Sequence, residues 1–297
     1  MQALEGRIAF ITGGASGIGF GMARAFLRHG MKVIVADIRQ EHLDMVAAAL
    51  DRSNGDYHLI RLDVTDRAAM ERAADEAERV FGKVHVLCNN AGVASTVPMD
   101  EASFADWDFV MNINLGGVIN GTTSFLPRIK AHREGGHVVN TSSIGGILPL
   151  PGPGGIYTAS KFAVRGLTES LRMALAPHGI GVSLLCPGLV RTNLAETTEH
   201  LDPSGKRREL SPFKDIESPL DFGMDPLDIG ERVVAGIIHN EAYILPHGEF
   251  KDEVREAFAE IVEAFPADQA VDPKRAAVEA GRRQATIEAK KAAAGIR

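Results

Sequence analysis

Tyr157 and Lys161 are spaced so that they could act together as an acid–base pair. Residues four apart share one face of a helix, so the lysine ammonium group can lie close to the phenol. A tyrosine in water has a pKa of about 10, and a nearby cation lowers that pKa because it stabilises the phenolate. Tyr-x-x-x-Lys also occurs by chance in many surface helices, so the surrounding residues decide its meaning.

Polar motifs stand where three predicted strands end, and these give the pair its surroundings. Asn89–Gly92 (NNAG), Asn140–Ser143 (NTSS) and Pro187–Thr192 (PGLVRT) each follow an apolar run. Ligands of open α/β sheets bind outside the carboxyl ends of the strands. We therefore expect a serine hydroxyl beside Tyr157. Ser143 is our choice, and its neighbour Ser142 is the alternative.

A glycine-rich motif lies between the first predicted strand and the first predicted helix. Thr12–Gly19 reads TGGASGIG and follows the apolar run Ile8–Ile11. Such a turn lets the backbone approach a pyrophosphate, and the N-terminus of the next helix offers free N–H donors. Glycine also serves turns for conformational reasons alone, but here the strand and the helix supply the required context. The expected dinucleotide contacts in this motif are Gly13, Ser16, Gly17, Ile18 and Gly19.

An acidic residue ends the second predicted strand. Asp37 stands where a carboxylate meets the adenosine ribose hydroxyls and repels the 2′-phosphate of NADP. Arg39 is the one nearby residue that favours NADP, because an arginine can bind the 2′-phosphate. An isolated aspartate at a strand end could also serve only as a helix cap. With the glycine turn in place, the sequence favours NAD as the cofactor.

Short β-rich runs alternate with helical patterns along most of the chain. This alternation predicts an α/β fold, a Rossmann-type doubly wound parallel sheet of about seven strands. We expect one catalytic domain over 1–247 and a helical C-terminal extension over 248–297. The predicted strands are Ile8–Thr12, Lys32–Ala36, His58–Leu62, Val84–Cys88, His137–Thr141, Gly181–Leu185 and Tyr243–Leu245.

Four segments depart from this alternation of predicted strands and helices. Ile147–Ile156 (ILPLPGPGGI) predicts a loop, because proline and glycine interrupt regular structure. The segment 193–225 predicts a lid over the end of the sheet. In Phe250–Phe265 the apolar residues fall on one helical face, which is expected to pack against another element. Ala267–Arg297 predicts a solvated helix or a disordered tail.

Together these motifs resemble the short-chain dehydrogenase/reductase family. The resemblance runs from about Arg7 to Leu245, and its motifs stand in the family's order. It implies an NAD-dependent oxidoreductase that interconverts an alcohol and a ketone. The motifs are TGGASGIG, NNAG, Asn114, Ser143, YTASK and PGLVRT.

The resemblance also implies a role for each matching residue. Tyr157 would exchange the proton with the substrate oxygen, and Lys161 would hold the nicotinamide ribose and lower the pKa of Tyr157. Ser143 would hydrogen-bond the substrate oxygen, and Asn114 would hold a water that relays protons. The remaining implied dinucleotide contacts are Asp63, Val64, Asn90, Gly92, Tyr157, Lys161, Pro187, Gly188, Val190 and Thr192.

The substrate end of the pocket is expected to be apolar. Such a lining favours a bulky hydrophobic secondary alcohol or ketone, although some of these side chains could be core. The stretches GVING and YILPHGEFKDEV resemble the Cα-dehydrogenases, which oxidise benzylic alcohols of lignin-derived β-aryl ethers. The expected substrate contacts are Ser143, Ile147, Leu148, Leu189 and Leu194. Further candidates for the apolar wall are Ala94, Ile144, Leu150, Phe213, Phe222 and Met224.

Composition limits the other possibilities. The 297 residues carry a formal charge of −7, which argues against nucleic acid as a partner. The two cysteines, Cys88 and Cys186, have no second cysteine or histidine at metal-ligand spacing, so reduced thiols and no metal are expected. No targeting signal or membrane span is apparent, which favours a cytoplasmic protein. The family resemblance implies a homodimer or homotetramer.

Three alternative functions remain open. A carbonyl reductase of steroids or terpenoids would share every motif. An acyl-carrier-protein ketoreductase would use NADP and a basic docking patch, for which Lys206–Arg208 is a candidate. A non-catalytic dinucleotide sensor would typically lack the tyrosine–lysine pair, which this chain has.

Overall fold

The apolar runs form a single parallel sheet of seven strands in the order β3-β2-β1-β4-β5-β6-β7. The computed structural model describes residues 3–50, 56–95, 97–202, 222–267 and 270–296. The strands match the predicted runs within two residues at each end. They are β1 (Ile8–Thr12), β2 (Lys32–Asp37), β3 (Tyr57–Arg61), β4 (Val86–Asn89), β5 (Gly136–Thr141), β6 (Ile180–Leu185) and β7 (Tyr243–Ile244).

Helices connect the strands and cover both faces of the sheet. They are α1 (Gly17–Arg28), α2 (Gln40–Ala49), α3 (Arg67–Phe81), α4 (Phe104–Met111), α5 (Gly117–His132), α6 (Gly155–Leu175), α7 (Leu194–Leu201), α8 (Pro226–Ile238), α9 (Lys251–Glu263) and α10 (Pro273–Ala294). None of these described helices is long and apolar enough to cross a membrane.

Burial on both faces explains why the strands are almost continuously apolar. Ile11 of β1 belongs to a core cluster with Phe26 of α1 and residues of α8. Phe10 points to the opposite face and meets Phe125 of α5, with ring centroids 4.4 Å apart. Successive residues of one strand therefore fill two different cores.

The order in which strands are added reverses between β1 and β4, which are neighbouring parallel strands. The chain runs from β1 toward β2 and β3 on one side, and from β4 toward β5, β6 and β7 on the other. A crevice opens between the carboxyl ends of two strands whose connections diverge, and ligands bind there. The predicted doubly wound fold is confirmed.

The irregular segments differ in detail from the predictions. Helix α6 begins at Gly155, so the predicted loop Ile147–Ile156 is shorter by two residues. Most of the predicted lid, including Lys206–Arg208, lies outside the described residues. The structure describes helix α7 and the last residues of the lid, 222–225. The boundary between 247 and 248 stays a prediction.

The C-terminal extension is helical and partly docked. Along α9, Phe258 is half-buried beneath the guanidinium of Arg165, whereas Ile261 and Val262 are 60% and 67% exposed. The packing expected for this face is therefore present in its first half, at Phe250 and Phe258, and absent at Ile261, Val262 and Phe265. The far end of α10 is anchored, because the carbonyl of Ala293 accepts a hydrogen bond of 2.8 Å from the Asn240 amide.

Candidate active site

Tyr157 lies in the first turn of α6, beside the end of β5. Its hydroxyl group lies beside that of Ser143. Burial raises the pKa of Tyr157, and the neighbouring Ser143 hydroxyl lowers it by a smaller amount. The pKa of Tyr157 is therefore raised, opposite to the lowering that the sequence predicted.

Lys161 stands one helical turn after Tyr157 on the same face of α6. Its Nζ lies 5.5 Å from the centroid of the Tyr157 ring and donates a hydrogen bond of 3.1 Å to the carbonyl of Thr141. Burial lowers the pKa of Lys161 to about 8. The ammonium group is thus held behind the phenol, as the four-residue spacing predicted.

The structure distinguishes the two adjacent serines. Ser143 Oγ accepts a hydrogen bond from the Gly145 amide and also contacts Tyr157. Ser142 Oγ points into the protein and donates to the carbonyl of Lys161 at 2.9 Å. This geometry supports the choice of Ser143 as the residue that faces the substrate.

Asn114 is fully buried in a π-helical turn, Asn112–Gly116, between α4 and α5. Its side chain accepts a hydrogen bond from the Val93 amide and donates to Ser160. A Cβ added to Gly92 would lie 3.1 Å from Asn114 Oδ1 and 3.3 Å from Lys161 Nζ. Asn114 is therefore close to Lys161, but it stands behind Gly92 and outside the cavity.

The glycine turn is held close to the end of β4. Gly13 has a positive φ of 60°, and a Cβ added there would lie 2.9 Å from the Cα of Ala91. A Cβ on Gly19 would lie 2.0 Å from the carbonyl oxygen of Gly13. Asn90 donates hydrogen bonds to the carbonyls of Thr12 and Gly13 and so joins the two strand ends. Only glycine permits this approach at Gly13 and Gly19.

The residues at this end of the crevice fit a dinucleotide. Ser16 is the N-cap of α1, and its side chain makes no capping hydrogen bond to the helix. The first amides of α1 thus keep donors for a pyrophosphate. Asp37 is 7% exposed, and its carboxylate accepts hydrogen bonds from the amides of Ala15 and Arg39. This aspartate both shapes the glycine turn and presents negative charge at the adenosine end.

One cavity of about 560 Å³ connects the glycine turn with Tyr157. Gly19 does not line it, because that residue packs against Gly13. The cavity thus joins the predicted dinucleotide and catalytic residues in one space. The predicted site residues that do line it are Gly13, Ser16, Gly17, Ile18, Asp37, Asp63, Val64, Asn90, Gly92, Ser143, Tyr157, Lys161, Pro187, Gly188, Leu189, Val190, Thr192 and Leu194.

Two of the predicted substrate contacts are corrected by the structure. Ile147 packs into a small core cluster with Val118 and Val164, and Leu148 is 4% exposed. The 3₁₀ turn Ile144–Gly146 directs both side chains inward. Ile144 and Leu150, two of the other predicted wall residues, do line the cavity, together with Pro151 and Pro153.

Residues on both sides of the predicted boundary between 247 and 248 contribute to the site, which the analysis of single motifs missed. His247 Nδ1 accepts a hydrogen bond from the Gly188 amide, and Nε2 donates to the carbonyl of Leu189, both at 3.0 Å. Phe250 lines the cavity, and a Cβ on Gly188 would lie 2.5 Å from its ring. The one sequence signal for these residues was the PHGEF part of YILPHGEFKDEV. That stretch resembles the Cα-dehydrogenases, but the resemblance gave no role to His247 or Phe250.

A histidine cluster away from the cavity is explained without a metal ion. Ligand atoms of His85, His132 and Glu134 lie within 4.8 Å of one another. However, His85 Nδ1 accepts a hydrogen bond from the Ile8 amide, so the ring proton of neutral His85 must lie on Nε2, which contacts Glu134. A metal ion bound to Nε2 would displace this proton, and Nδ1 could not carry it without losing the bond to Ile8. Glu134 is also paired with Lys83. Hydrogen bonds and ion pairs account for this cluster.

Both cysteines are free and buried, as expected. Burial raises the pKa of the Cys88 thiol and raises that of Cys186 to about 12. Neither thiol is a reactive thiolate at neutral pH.

Comparisons with known proteins agree with this site. The sequence profile described as short chain dehydrogenase matches residues 7–202. The C alpha-dehydrogenase of Sphingobium sp. (strain NBRC 103272 / SYK-6) is 38% identical over 93% of this chain and 92% of that protein. The 3-alpha-(or 20-beta)-hydroxysteroid dehydrogenase of Mycobacterium bovis is 38% identical over 80% of this chain and 93% of that protein.

A solved structure shows the same fold with a bound dinucleotide. It is a short chain dehydrogenase/reductase from Burkholderia phymatum in complex with NAD. The TM-score is 0.80 at 34% identity, over 92% of this chain and all of that chain. The matched profile, the parallel sheet and the joined motifs lead to one conclusion: this chain belongs to the short-chain dehydrogenase/reductase family of oxidoreductases.

Proposed function

We propose that this protein uses NAD to interconvert a bulky hydrophobic secondary alcohol and its ketone, with a benzylic alcohol of a lignin-derived β-aryl ether as the substrate class. One observation carries the proposal. The hydroxyl groups of Tyr157 and Ser143 meet at a cavity whose far wall is apolar, and the buried Lys161 stands behind them.

The side chains support a simple proton transfer. In oxidation, ionised Tyr157 takes the hydroxyl proton of the alcohol while Ser143 donates a hydrogen bond to the substrate oxygen. Lys161 stabilises the phenolate because its charge lies behind the ring. Bound NAD supplies the acceptor for the hydride that leaves the same carbon. In reduction, Tyr157 returns the proton to the oxygen.

Proposed roles for the dinucleotide contacts follow from their places. The uncapped α1 N-terminus suits the pyrophosphate, and Asp37 suits the adenosine ribose hydroxyls. Asp63 and Val64 would meet the adenine, and Thr192 the carboxamide. The preference for NAD rests on the buried Asp37 carboxylate, which opposes a 2′-phosphate.

The substrate proposal rests on the cavity wall and on a relative. Ile144, Leu150, Leu189 and Phe250 present apolar groups near Tyr157, and the C alpha-dehydrogenase is similar over nearly the whole chain, including the extension that holds Phe250. A steroid or other bulky ketone is the second candidate, because a hydroxysteroid dehydrogenase is equally identical over a shorter span. The complete catalytic set disfavours a sensor, and Asp37 disfavours an acyl-carrier-protein ketoreductase. Assembly as a homodimer or homotetramer and a cytoplasmic location stay predictions.

The test is turnover of an alcohol panel with NAD or NADP, followed by absorbance of the reduced cofactor. The panel contains aryl-glycerol β-aryl ethers, 1-phenylethanols, hydroxysteroids and aliphatic secondary alcohols. We expect the aryl ethers to give the highest kcat/KM with NAD, and Tyr157→Phe to lower that kcat/KM by roughly 10² to 10⁴. Turnover of steroids or aliphatic alcohols alone would reject the benzylic substrate but keep the mechanism. A loss of less than roughly 10² in Tyr157→Phe would reject the mechanism.

A further inference from the structure

We propose that Glu196, on the lid helix α7, is a specificity residue for the dinucleotide. It pairs with Arg39 across the cofactor crevice and so withholds that guanidinium from a 2′-phosphate. This inference rests on the proposed preference for NAD and adds a second layer to it. Asp37 repels the phosphate, and Glu196 occupies the cation that would otherwise attract it.

The contacts of Arg39 are short and come from two separate elements. Its Nε lies 2.7 Å from a carboxylate oxygen of Glu41, and its Nη1 lies 2.8 Å from one of Glu196. The Arg39 side chain is only 11% exposed. Glu41 is local, two residues away, whereas Glu196 is 157 residues away along the chain. The second bond therefore exists only because α7 folds over this end of the crevice.

Arg39 stands beside the residue that faces the adenosine ribose. Its backbone amide donates a hydrogen bond of 3.1 Å to Asp37 Oδ1, so the two residues share one turn. Asp37 and Ile38 line one wall of the cavity, and Leu194 and Ala195 of α7 line another. The pair of Arg39 and Glu196 thus joins the two walls.

The lid helix is held in this position by a second contact. Thr198 is fully buried, and its Oγ1 accepts a hydrogen bond of 2.8 Å from the Ala94 amide after β4. The same hydroxyl donates to the carbonyl of Leu194. Helix α7 is therefore anchored by Thr198, and this position places the carboxylate of Glu196, whose side chain is 61% exposed, beside the more buried Arg39.

A 2′-phosphate bound beside Asp37 would lie near Arg39, whose guanidinium is already paired with Glu41 and Glu196. Charge-assisted hydrogen bonds are roughly twice as strong as neutral ones, so a guanidinium shared by two carboxylates has little to gain from a third anion. Removing one carboxylate frees donors on Nη1 and also reduces the local negative charge. Arg39 would then be available to a 2′-phosphate.

A second guanidinium provides the competing explanation. Arg61, at the end of β3, donates from Nε to the carbonyl of Ile38 at 3.4 Å. It is exposed and lies next to Asp37 in the sheet. If Arg61 is the phosphate ligand, changes at Glu196 will not affect phosphate binding, and removal of Arg61 will abolish it.

Binding of two nucleotide fragments separates these possibilities without catalysis. Isothermal titration calorimetry of the full chain with adenosine 2′,5′-bisphosphate and with 5′-AMP isolates the contribution of the 2′-phosphate. The variants are Asp37→Ser, Asp37→Ser with Glu196→Gln, and that pair with Arg39→Gln. Asp37→Ser with Glu260→Gln is the control, because Glu260 is an exposed carboxylate on α9. Asp37→Ser with Glu196→Gln and Arg61→Gln tests the competitor.

We expect Glu196→Gln to tighten binding of the bisphosphate roughly tenfold in the Asp37→Ser background, the value of one charge-assisted hydrogen bond. Affinity for 5′-AMP should stay unchanged, Arg39→Gln should reverse the gain, and the Glu260 control should show no gain. The inference fails if Glu196→Gln gives no gain, or if Arg61→Gln rather than Arg39→Gln removes it. A wild-type chain that prefers the bisphosphate would instead overturn the proposed NAD preference.

Discussion

Protonation of His137 should set the acid limit of stability. This imidazole is fully buried at the start of β5. Its Nε2 donates to Ser183 Oγ at 2.8 Å, because the Ser183 hydroxyl hydrogen is committed to the carbonyl of Glu241. Nδ1 has no hydrogen-bond partner among the described residues. Burial, with a smaller effect of the Arg172 charge, lowers the pKa of His137 to about 3.

The direction and size of the effect follow from this lowered pKa. Below a pH of about 6.5 the unfolded chain binds a proton that the native chain excludes, so the free energy of unfolding falls as the pH falls. The loss is about 1.4 kcal/mol per pH unit, or about 2 kcal/mol between pH 6.5 and 5. Above pH 6.5 this contribution to stability is complete.

Urea unfolding between pH 5 and 8 measures this dependence. His137→Gln keeps a donor for Ser183 and removes the titrating nitrogen, and His178→Gln changes an exposed histidine as the matched control. Below pH 6.5 the slope of the free energy of unfolding against pH should decrease by about 1.4 kcal/mol per pH unit in His137→Gln, which corresponds to one proton. In the control this slope should match that of the wild type. The pKa of His85 is also lowered by burial, so some slope should remain. Equal slopes in the wild type and His137→Gln would refute the reasoning.

Three further predictions concern the site. Tyr157→Phe should lower kcat/KM by roughly 10² to 10⁴, the usual contribution of general acid–base catalysis, with an unchanged unfolding midpoint; a smaller loss would contradict the assignment. Gly19→Ala should abolish dinucleotide binding in a fluorescence titration, because its Cβ would lie 2.0 Å from the Gly13 carbonyl oxygen, and wild-type affinity would disprove this close approach. Phe250→Ala should raise KM for an aryl substrate roughly tenfold through lost apolar contact of about 1–2 kcal/mol. Phe250→Leu should have little effect, and equal KM values for all three forms would remove Phe250 from the substrate wall.

Features that depend on neighbours in the chain were predictable from the sequence. The apolar runs predicted the strands because the central ones, β1, β4, β5 and β6, are buried on both faces. The spacing of Tyr157 and Lys161 predicted their shared face because a helix repeats over about 3.6 residues. The glycine turn was predictable because its function needs an unsubstituted backbone between one strand and one helix.

The direction in which side chains point from a turn was decided only by the tertiary structure. Adjacent serines look equivalent in the sequence, yet the end of β5 turns Ser143 toward Tyr157 and Ser142 toward the carbonyl of Lys161. The 3₁₀ turn that follows sends Ile147 into the core and leaves Leu150 at the cavity. Neither choice leaves a periodic signal, because a single dihedral change reverses a side chain.

Contacts between distant segments are the other part that the sequence does not reveal. His247 reaches Gly188, and Arg39 reaches Glu196 across 157 residues. Periodicity and local motifs carry no information about which distant surfaces meet. The sequence by itself determined the elements, the catalytic pair and the dinucleotide turn. The tertiary structure decided the substrate wall and the lid contact, because both depend on how complete elements pack together.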